Sequence, residues 1–419
     1  MSVTYTFPRI EHIDDVLPHI DSDCFRVVEK DSGHTFVNYV KMGNDTFPPF
    51  VPTDSVEHGY TGAALHNHRA AVRRECRGIA FDTATGRIVS RPFHKFFNVG
   101  EREDMDLAEL DFSRPHTVQD KIDGSMVRPL MTASGIRWGT KMGITDTAMF
   151  AELFVEDNLI YNEFAAHCMA AGMTPIFEFT APENRVVVDY GRAPQMTLLA
   201  IRNNVSGGYL EYDNSLMLVA ERWGIPLVRT FDPVDGDPIV YLSTVKDSGD
   251  LDEGVVIQWE NGHRAKIKTD VYSHLHRVKE AARTERTLVA AILDGSVDDL
   301  LPLVPVEDRA EIEAYNKRFW LCLERLAEDI RIMYREVRLG YTEKKDFAVR
   351  GRGDMTSMEA SVVFALWNGK TVDAAEAAKK IIRNGLISET KWREMKENLC
   401  MATNLHDFST VWQEKGDFE

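Results

Sequence analysis

The chain has 419 residues, of which 44% are hydrophobic and 27% are charged, the composition of an ordinary soluble globular protein long enough for two domains. Its formal net charge of −17, from 49 basic and 66 acidic side chains, argues against a protein that coats nucleic acid by bulk electrostatics, although it leaves room for a local basic groove. Five scattered cysteines, with no Cys-x-x-Cys pair, fit reduced thiols in a cytoplasmic protein and give no zinc signature. No apolar run approaches the ~20 residues of a membrane helix, and the first residues lack the basic segment and apolar core of a secretory signal, so we expect no membrane association.

Short apolar runs between turn signals predict an α+β first part built on antiparallel strands. In chain order, strands are expected at 78–82, 87–93, 175–182, 185–190, 196–202, 209–212, 253–259 and 263–269, and helices at 148–170 and 214–225. The turn between the last two strands contains Asn261-Gly262, which is among the stronger hairpin signals. The stretch 42–70 is predicted to be an extended loop.

Beyond about Ser273 the pattern becomes helical. Apolar residues recur there at three- and four-residue spacing. This spacing predicts amphipathic helices at 307–338, 357–367, 373–383 and 390–398. We therefore predict an antiparallel α+β domain at 1–275 and an all-helical domain at 276–419. There is no internal repeat, and the oligomeric state is not predicted.

The string QDKIDGS places Lys121 two residues before an Asp-Gly pair. A lysine with an ordinary pKa of ~10.4 must lose its proton before its amine can attack an electrophile. Neighbouring cations and partial desolvation favour that loss, so a nucleophilic Lys121 requires other lysines or a metal ion nearby. Gly124 behind it would let a phosphate approach the backbone closely. Taken alone, the pattern leaves Lys121 equally an ordinary surface lysine.

Later segments contain groups that would support such a nucleophile. Glu178 alternates with phenylalanines on a predicted strand, which by itself predicts a solvated side chain. Glu253 opens one strand of the predicted hairpin, and Lys266 and Lys268 share a face of the other, because side chains alternate with a period of two. If that face lines a cleft and is not solvated, two lysines beside carboxylates and a nucleophile form a nucleotide triphosphate site.

Further candidates lie near basic concentrations in this acidic chain. Arginine suits bidentate contact with phosphate, and an aromatic ring suits stacking on a base or a ribose, which makes Arg77, Lys95 and Phe97 candidates for nucleotide contact. The basic clusters at 73–77 and 263–268 are, on composition, predicted to be solvated faces.

These strings, taken together and in order, resemble the bacteriophage RNA ligase 1 family of covalent nucleotidyltransferases. Lys-x-Asp-Gly, Glu-Gly and Lys-x-Lys are shared by DNA ligases, RNA ligases and capping enzymes. ECRGIAF, RPFHKFFN, FEFTAPENRVVV and KIKTDVYSHLH contain patterns characteristic of this branch, and LLAIR and LDGSVDDL extend the match. The resemblance is clear over roughly 70–300 and thin elsewhere.

The resemblance implies a three-step reaction with ATP and Mg²⁺, with Mn²⁺ as a substitute metal. Lys121 would form a lysyl-AMP, AMP would pass to an RNA 5′-phosphate, and a 3′-hydroxyl would displace AMP and seal the strand. Catalysis of this kind is mainly positioning and electrostatics. The RNA would have 5′-phosphate and 3′-hydroxyl ends, a nicked tRNA being one candidate. A phage protein working in its host's cytoplasm is implied.

The resemblance also assigns roles to individual residues. The catalytic set is Lys121, Lys141, Glu253, Lys266 and Lys268. The nucleotide contacts are Tyr39, Arg77, Lys95, Phe97, Gly124, Glu178, Lys266, Lys268 and Tyr272. The metal ligands are Glu253 and Asp298. From the residues alone, Asp298 reads instead as a carboxylate at a helix N-terminus, which the helix dipole favours.

Other classes of protein remain as alternatives. A DNA ligase or capping enzyme needs a small barrel of short strands after Lys-x-Lys, where this chain has amphipathic helices instead. A non-catalytic RNA-end-binding or nucleotide-sensing protein of the same fold would be favoured by loss of Lys121, Glu253 or Lys268, all of which are present. The helical region would help choose the RNA substrate, although its faces equally suit a dimer surface or a structural brace.

Overall fold

The computed structural model describes residues 6–52, 59–211, 215–273, 276, 285–301, 306–350, 355–370, 373–388, 390–393 and 395. The chain divides into two compact units, Met1–Ser273 and His274–Glu419. The domain boundary predicted after residue 275 adjoins residues 274–275, which lie outside the described part, so it stays a prediction.

The first unit is built on three sheets. Its described strands are β1 (Phe25–Lys30), β2 (His34–Tyr39), β3 (Arg77–Asp82), β4 (Ile88–Ser90), β5 (Phe97–Asn98), β6 (His116–Asp120), β7 (Ser125–Thr132), β8 (Gly135–Gly139), β9 (Met173–Thr180), β10 (Gln195–Asn203), β11 (Thr230–Phe231), β12 (Gly254–Trp259) and β13 (Arg264–Lys268). The strand orders are β1-β2-β3-β4, β10-β9-β7-β8 and β11-β6-β12-β13-β5. Strand β5 runs parallel to β13, and the other described pairs are antiparallel.

Helices cover the second sheet and form the second unit. Those described in the first unit are α1 (Gly59–Glu75), α2 (Asp146–Glu156), α3 (Ile160–Ala170), α4 (Met217–Trp223) and α5 (Pro238–Lys246). Those described in the second unit are α6 (Glu285–Asp294), α7 (Val297–Leu300), α8 (Val306–Gly340), α9 (Lys344–Arg350), α10 (Ser357–Trp367) and α11 (Ala374–Gly385). In these segments, no helix is both long and apolar enough to cross a membrane.

The first unit has two main hydrophobic cores. One packs the second sheet against α2, α3 and α4, with the Phe177 ring in edge contact with Trp138, Tyr161 and Phe164. The other lies between the first and third sheets and buries alternate residues of β3, β6, β12 and β13. Because these strands bury one set of side chains, the opposite set on β12 and β13 faces the site described below.

The predicted α+β class with antiparallel sheets and a helical C-terminal region is confirmed, and most predicted elements are present. Several predictions were wrong. The helix expected at 148–170 is interrupted between α2 and α3, and the strand expected at 87–93 shrinks to β4. Residues 185–190 form no strand, and Tyr209 makes only an isolated bridge to Arg202.

The loop predicted at 42–70 is replaced in its second half by α1. Ala63, Ala70 and Ala71 are buried on this helix, and alanine has the highest helix propensity, so the composition favours a helix once the sheet offers a surface to cover. Its last turn contains Arg73 and Arg74, whose charges suit the negative end of the helix dipole.

The second unit has its own core, built mainly around α8. Phe319, Leu323, Leu326 and Ile330 recur at three- and four-residue spacing and are buried. This is the amphipathic pattern that the sequence predicts. The helix predicted at 390–398 is described only at 390–393 and 395, where it is helical, and Cys400 lies outside the described residues.

Candidate active site

Lys121 directly follows β6, and β12 holds its backbone. The Lys121 N–H donates to the Gly254 carbonyl at 3.0 Å, and the Lys121 Nζ lies 2.6 Å from Glu253 Oε2. Gly254 has φ +144°, and a Cβ there would overlap the Ile267 carbonyl oxygen. Glycine is therefore required at the residue that lets β6, β12 and β13 come this close.

Glu253 lies between two lysines. Its Oε1 is 3.0 Å from Lys268 Nζ, while its other oxygen contacts Lys121. The residue is 3% exposed, so its carboxylate depends on these ammonium groups for compensation. Lys268 reaches it because it pairs with Gly254 in the β12–β13 ladder. The hairpin and the neighbouring strand β6 thus bring Glu253, Lys121 and Lys268 into contact as a lysine–carboxylate–lysine series.

Two further lysines are uncharged more easily than usual. Burial lowers the pKa of Lys266 to about 7, and the charges of Lys95, Lys121 and Lys268 act in the same direction. Burial lowers the pKa of Lys95 to about 8, with Arg77 as the next cause. Among the described residues, no carboxylate lies within 4.0 Å of either amine. The charge of Glu101 raises both pKa values, so it offsets this effect only in part, and the remaining positive charge suits a polyphosphate.

Aromatic rings lie beneath these amines. Lys95 Nζ is 5.0 Å from the Phe97 ring centroid and 5.7 Å from that of Tyr39. Lys141 Nζ lies 5.7 Å from the same Tyr39 ring. The fold thus brings Tyr39, Lys95, Phe97 and Lys141 together, although they come from three separate segments of the chain.

Glu178 is not the freely solvated side chain that strand alternation alone predicted. It lies on β9 opposite Met126 and is partly buried. Burial raises its pKa to about 8, the charge of Lys121 opposes that rise, and the charge of Glu253 adds to it. Arg77 lies on the same side, since its Nη1 is 3.4 Å from Met126 Sδ.

Gly124 lets the segment that contains Lys121 pack tightly on β9. A Cβ at Gly124 would overlap the Phe179 carbonyl and lie 2.9 Å from Thr180 Cγ2. The predicted importance of this glycine therefore has a packing cause as well as the phosphate approach argued from the sequence.

Asp123 was not among the predicted site residues, yet it fixes the loop after β9. It is 4% exposed, and its Oδ2 accepts the N–H groups of Val187 at 2.7 Å and Val188 at 2.8 Å. Its Oδ1 accepts the hydroxyl of Tyr272 at 2.7 Å, and its own N–H donates to the Tyr190 hydroxyl at 2.9 Å. The Asp-Gly pair in the sequence was a signal for Asp123, whereas nothing in the sequence pointed to Tyr190.

Tyr272, a predicted nucleotide contact, is buried, with its ring centroid 4.8 Å from Lys268 Nζ. Burial raises its pKa, as does the neighbouring charge of Glu253. Its hydroxyl therefore stays a hydrogen-bond donor to Asp123 at neutral pH. Tyr272 thus contacts Asp123, in the segment that contains Lys121, and also Lys268 on the hairpin.

Asp298, the predicted metal ligand, belongs to the second unit. It is exposed on α7, a helix of one turn, near the helix start. Its role in metal binding stays a prediction. In the described segments of the chain, no group of three or more His, Cys, Asp or Glu side chains is arranged to hold a metal ion.

The basic clusters are not the solvated faces that composition predicted. Arg73 is 2% exposed and donates to the Thr46 carbonyl and to Asp21, each at 2.8 Å. Arg74 and Arg264 are buried as well. These arginines satisfy carbonyls and side chains inside the fold, so they belong to its framework and do not form a surface for nucleic acid.

Part of this chain is similar to known RNA ligases. Residues 75–272 match the sequence model of a family described as RNA ligase. This segment is therefore similar in sequence to the RNA ligase family. It contains Lys121, Glu253, Lys266 and Lys268, and also Tyr272 at its end.

Individual relatives cover only part of the chain. A putative RNA ligase of Thermovibrio ammonificans is 32% identical over 178 residues, which are 42% of this chain and 46% of that protein. RNA ligase 1 of bacteriophage TS2126 is 27% identical over 239 residues, 54% of this chain and 58% of the relative. The chain thus spans about half the length of these relatives. Among solved structures, an archaeal ATP-dependent RNA ligase has a TM-score of 0.40 at 14% identity, covering 70% of this chain and 72% of that one.

Proposed function

We propose that this protein is an ATP-dependent RNA ligase that joins RNA 5′-phosphate and 3′-hydroxyl ends through a lysyl-AMP intermediate on Lys121. The observation that carries the proposal is the contiguous arrangement of Lys121, Glu253 and Lys268 near the amines of Lys95 and Lys266, which form no ion pair within 4.0 Å among the described residues. A site with a poised amine and surplus positive charge fits an electrophile that is itself polyanionic.

In the first step, the Lys121 amine attacks the α-phosphorus of ATP, a nitrogen–phosphorus bond forms, and pyrophosphate leaves. The Lys121 ammonium must first lose a proton, and the Glu253 carboxylate, 2.6 Å away, is the acceptor in contact with it. In the second step the AMP moves to an RNA 5′-phosphate and frees Lys121. In the third, a 3′-hydroxyl displaces AMP and forms the phosphodiester.

The surrounding lysines have the task of holding charge on phosphate oxygens. Lys266 and Lys268 lie on the same face of β13 as predicted, and both side chains are partly buried, so they face a cleft and not bulk solvent. Lys95 and Lys141 extend this charge over the Tyr39 and Phe97 rings. In such a partly desolvated site, fixed cations stabilise developing negative charge more than they would in water.

The donors present also fit a divalent cation. Carboxylate oxygens are the ligands that Mg²⁺ prefers, and Glu253 and Glu178 both lie near Lys121. Burial raises the pKa of Glu178 to about 8, and the charges of Lys121 and Arg77 only partly oppose that rise. Bound Mg²⁺, or Mn²⁺ in its place, would neutralise phosphate charge and favour the neutral amine of Lys121. Asp298 is a further proposed ligand.

The RNA partner is proposed on family likeness, with broken tRNA as one candidate and a phage-infected bacterial cytoplasm as the setting. The helical unit is proposed to select the RNA. The alternative is a non-catalytic protein that binds RNA ends or senses nucleotides. The presence of Lys121, Glu253 and Lys268 argues against that alternative, because a protein that no longer catalyses the reaction has no need to keep all three.

The test is covalent labelling. Protein pretreated with pyrophosphate, to discharge any AMP already attached, is incubated with α-labelled ATP and Mg²⁺ without RNA, then denatured. We expect acid-labile, base-stable label on the wild type and on Lys246→Ala, an exposed lysine of α5, and none on Lys121→Ala. Absence of label on the wild type would overturn the ligase proposal and favour the binding protein.

A further inference from the structure

Lys141 occupies a turn and has no partner strand of its own. It follows β8 in a tight turn closed by hydrogen bonds between Thr140 and Gly143, at 2.8 Å and 3.1 Å. A lysine on a turn keeps its ammonium in place only if other elements fix its main chain, because a turn alone constrains it less than a paired strand does. The second sheet, to which β8 belongs, ends at this point.

The first sheet supplies that support. Asn38, at the end of β2, donates from Nδ2 to the Lys141 carbonyl at 3.0 Å. Gly78, on β3, has φ +86°, and a Cβ there would lie 2.6 Å from the same carbonyl oxygen and 2.7 Å from Lys141 Cα. The turn is therefore packed directly on the backbone of β3 and fastened from β2.

The neighbour of Asn38 contacts the other end of Lys141. The Tyr39 ring centroid lies 5.7 Å from Lys141 Nζ, so consecutive residues of β2 hold the main chain and the side chain of one lysine. A register shift between Val37 and Asn38 interrupts the β2–β3 ladder here. Such an irregularity breaks strict alternation and redirects side chains, which is a common arrangement beside active sites.

Asn38 is an unusual choice for a purely structural position. It is 8% exposed, and in the described part of the protein its Oδ1 is buried with no hydrogen-bond partner. A buried, unsatisfied acceptor destabilises the fold, so an apolar residue of similar size would cost less if only packing mattered. Relative to such an apolar residue, the Asn38 side chain gains one interaction, the hydrogen bond to the Lys141 carbonyl.

We propose that Asn38 is a positioning residue that holds the turn containing Lys141. The Lys141 ammonium then stays over the Tyr39 ring, as does that of Lys95, and both lysines are among those proposed to bind phosphate. The inference rests on the proposed ligase function, in which Lys141 helps to hold the triphosphate. It predicts that Asn38 acts on the reaction only through Lys141, without touching the nucleotide.

Coupling between substitutions tests this directly. The rate of lysyl-AMP formation is measured for Asn38→Ala, Lys141→Ala and the double variant. We expect Asn38→Ala to lower the rate about tenfold, as loss of placement of one group does. Added to Lys141→Ala, it should lower the rate no further, since residues acting as a unit are not additive. The inference is overturned if Asn38→Ala lowers the rate equally in the wild type and in Lys141→Ala. It is also overturned if Lys141→Ala alone reacts at the wild-type rate.

The matched control is Asn67→Ala. Asn67 also ties separate segments through an amide, donating to the Val51 carbonyl at 2.7 Å and accepting the Val51 N–H at 2.9 Å. Asn67→Ala should lower the free energy of unfolding while leaving the rate of lysyl-AMP formation within about twofold of the wild type. A loss of rate as large as that of Asn38→Ala would show a general structural effect and overturn the inference.

A second measurement does not depend on activity. Lysines are reductively methylated with ¹³C, and the signal of Lys141 is identified by its absence in Lys141→Arg. In Asn38→Ala, that signal should move toward the position of an exposed lysine, while the Lys268 signal stays. If the wild type forms no lysyl-AMP, the ligase proposal fails, but this shift still decides the role of Asn38. An unmoved Lys141 signal overturns it.

Discussion

A single carboxylate connects Lys121, the proposed nucleophile, to Lys268, one of the lysines proposed to bind phosphate. Glu253 is nearly fully buried and divides its two oxygens between Lys121 and Lys268, at 2.6 Å and 3.0 Å. Removing its charge leaves two ammonium groups facing each other in a partly desolvated site. It also removes the proposed proton acceptor, which contacts the proposed nucleophile Lys121. Both effects act on lysyl-AMP formation.

We therefore expect Glu253→Gln to slow lysyl-AMP formation on the order of a hundredfold, since it removes a preorganised charge at the reacting centre. Single-turnover labelling with α-labelled ATP measures the rate. Glu260→Gln is the matched control, because Glu260 lies at the far end of the same hairpin and pairs with Arg114 at 2.8 Å, with side chains 49% and 35% exposed. If the two variants react at equal rates, Glu253 is only a structural partner of the lysines.

Lys266 gives the site a pH dependence of predictable sign. Burial lowers its pKa to about 7, so at pH 8 most molecules carry it neutral. A bound polyphosphate favours the charged form and raises that pKa toward the ordinary value, so binding takes up a proton. ATP affinity should therefore fall as pH rises through and above about 7. Below that pH, Lys266 is already charged and contributes no further change.

Calorimetry of ATP binding at pH 8, in buffers of different ionisation enthalpy, measures the proton uptake. The wild type should take up protons at both Lys266 and Lys95, whose pKa is lowered to about 8. Lys266→Arg keeps the charge at all these pH values, so its uptake should be smaller. An equal uptake in the variant contradicts the assignment to Lys266.

At the scale of elements, the hairpin of β12 and β13 determines the site. It provides Glu253 just before its first strand and Lys266 and Lys268 on its second, and the strand before Lys121 pairs with it. Gly254 is the tightest point of this arrangement, because its φ of +144° disfavours any side chain. The whole set of charges therefore depends on one backbone geometry.

Gly254→Ala should destabilise the protein by about 1–3 kcal/mol, because the new Cβ meets the Ile267 carbonyl in a strained conformation. It should also slow lysyl-AMP formation, since the Lys121 N–H bonds to the Gly254 carbonyl. Denaturant unfolding measures the first effect and labelling the second. Gly249→Ala is the control, because a Cβ there meets nothing within 4 Å. A Gly254→Ala protein as stable as the control contradicts this geometry.

The sequence predicted what depends on local patterns. The hairpin followed from Asn261-Gly262 between alternating runs, and the shared face of Lys266 and Lys268 followed from the period of two. Their approach to Glu253 and Lys121 came only from family resemblance, because pairing of β6 with β12 joins segments more than a hundred residues apart. Periodicity does not encode such distant pairings.

Elsewhere the local patterns were misleading. Residues 185–190 read as a strand because three valines favour one, but Asp123 satisfies the Val187 and Val188 N–H groups that a strand would need for its ladder. The solvated reading of Glu178 failed similarly, since alternation defines two faces but does not say which of them water reaches. Tertiary contacts decided both cases.

At the scale of the whole molecule, the negative net charge of the chain is compatible with the proposed RNA substrate. The net charge of −17 belongs to the whole chain, whereas the surplus positive charge lies in a few partly buried lysines. Such a site contacts few phosphates, so its affinity for RNA depends less steeply on salt than that of a protein with a basic face. Selection of RNA then requires further contacts, and the helical unit is our proposed source.

The two units offer a way to separate chemistry from RNA selection. Their main hydrophobic cores do not share residues, since one set lies between Ile10 and Ile267 and the other between Leu288 and Trp392. A chain ending at residue 284 keeps every predicted catalytic residue and Tyr272, so it should fold and form lysyl-AMP at a rate within a few-fold of the full chain.

With RNA added, this shorter chain should transfer AMP and seal more slowly, with less preference among RNA substrates. Labelling without RNA and sealing of a panel of RNA ends measure the two properties on the same preparations. Equal sealing by both chains would remove the helical unit from RNA selection, and loss of lysyl-AMP formation in a folded short chain would make that unit part of the chemistry.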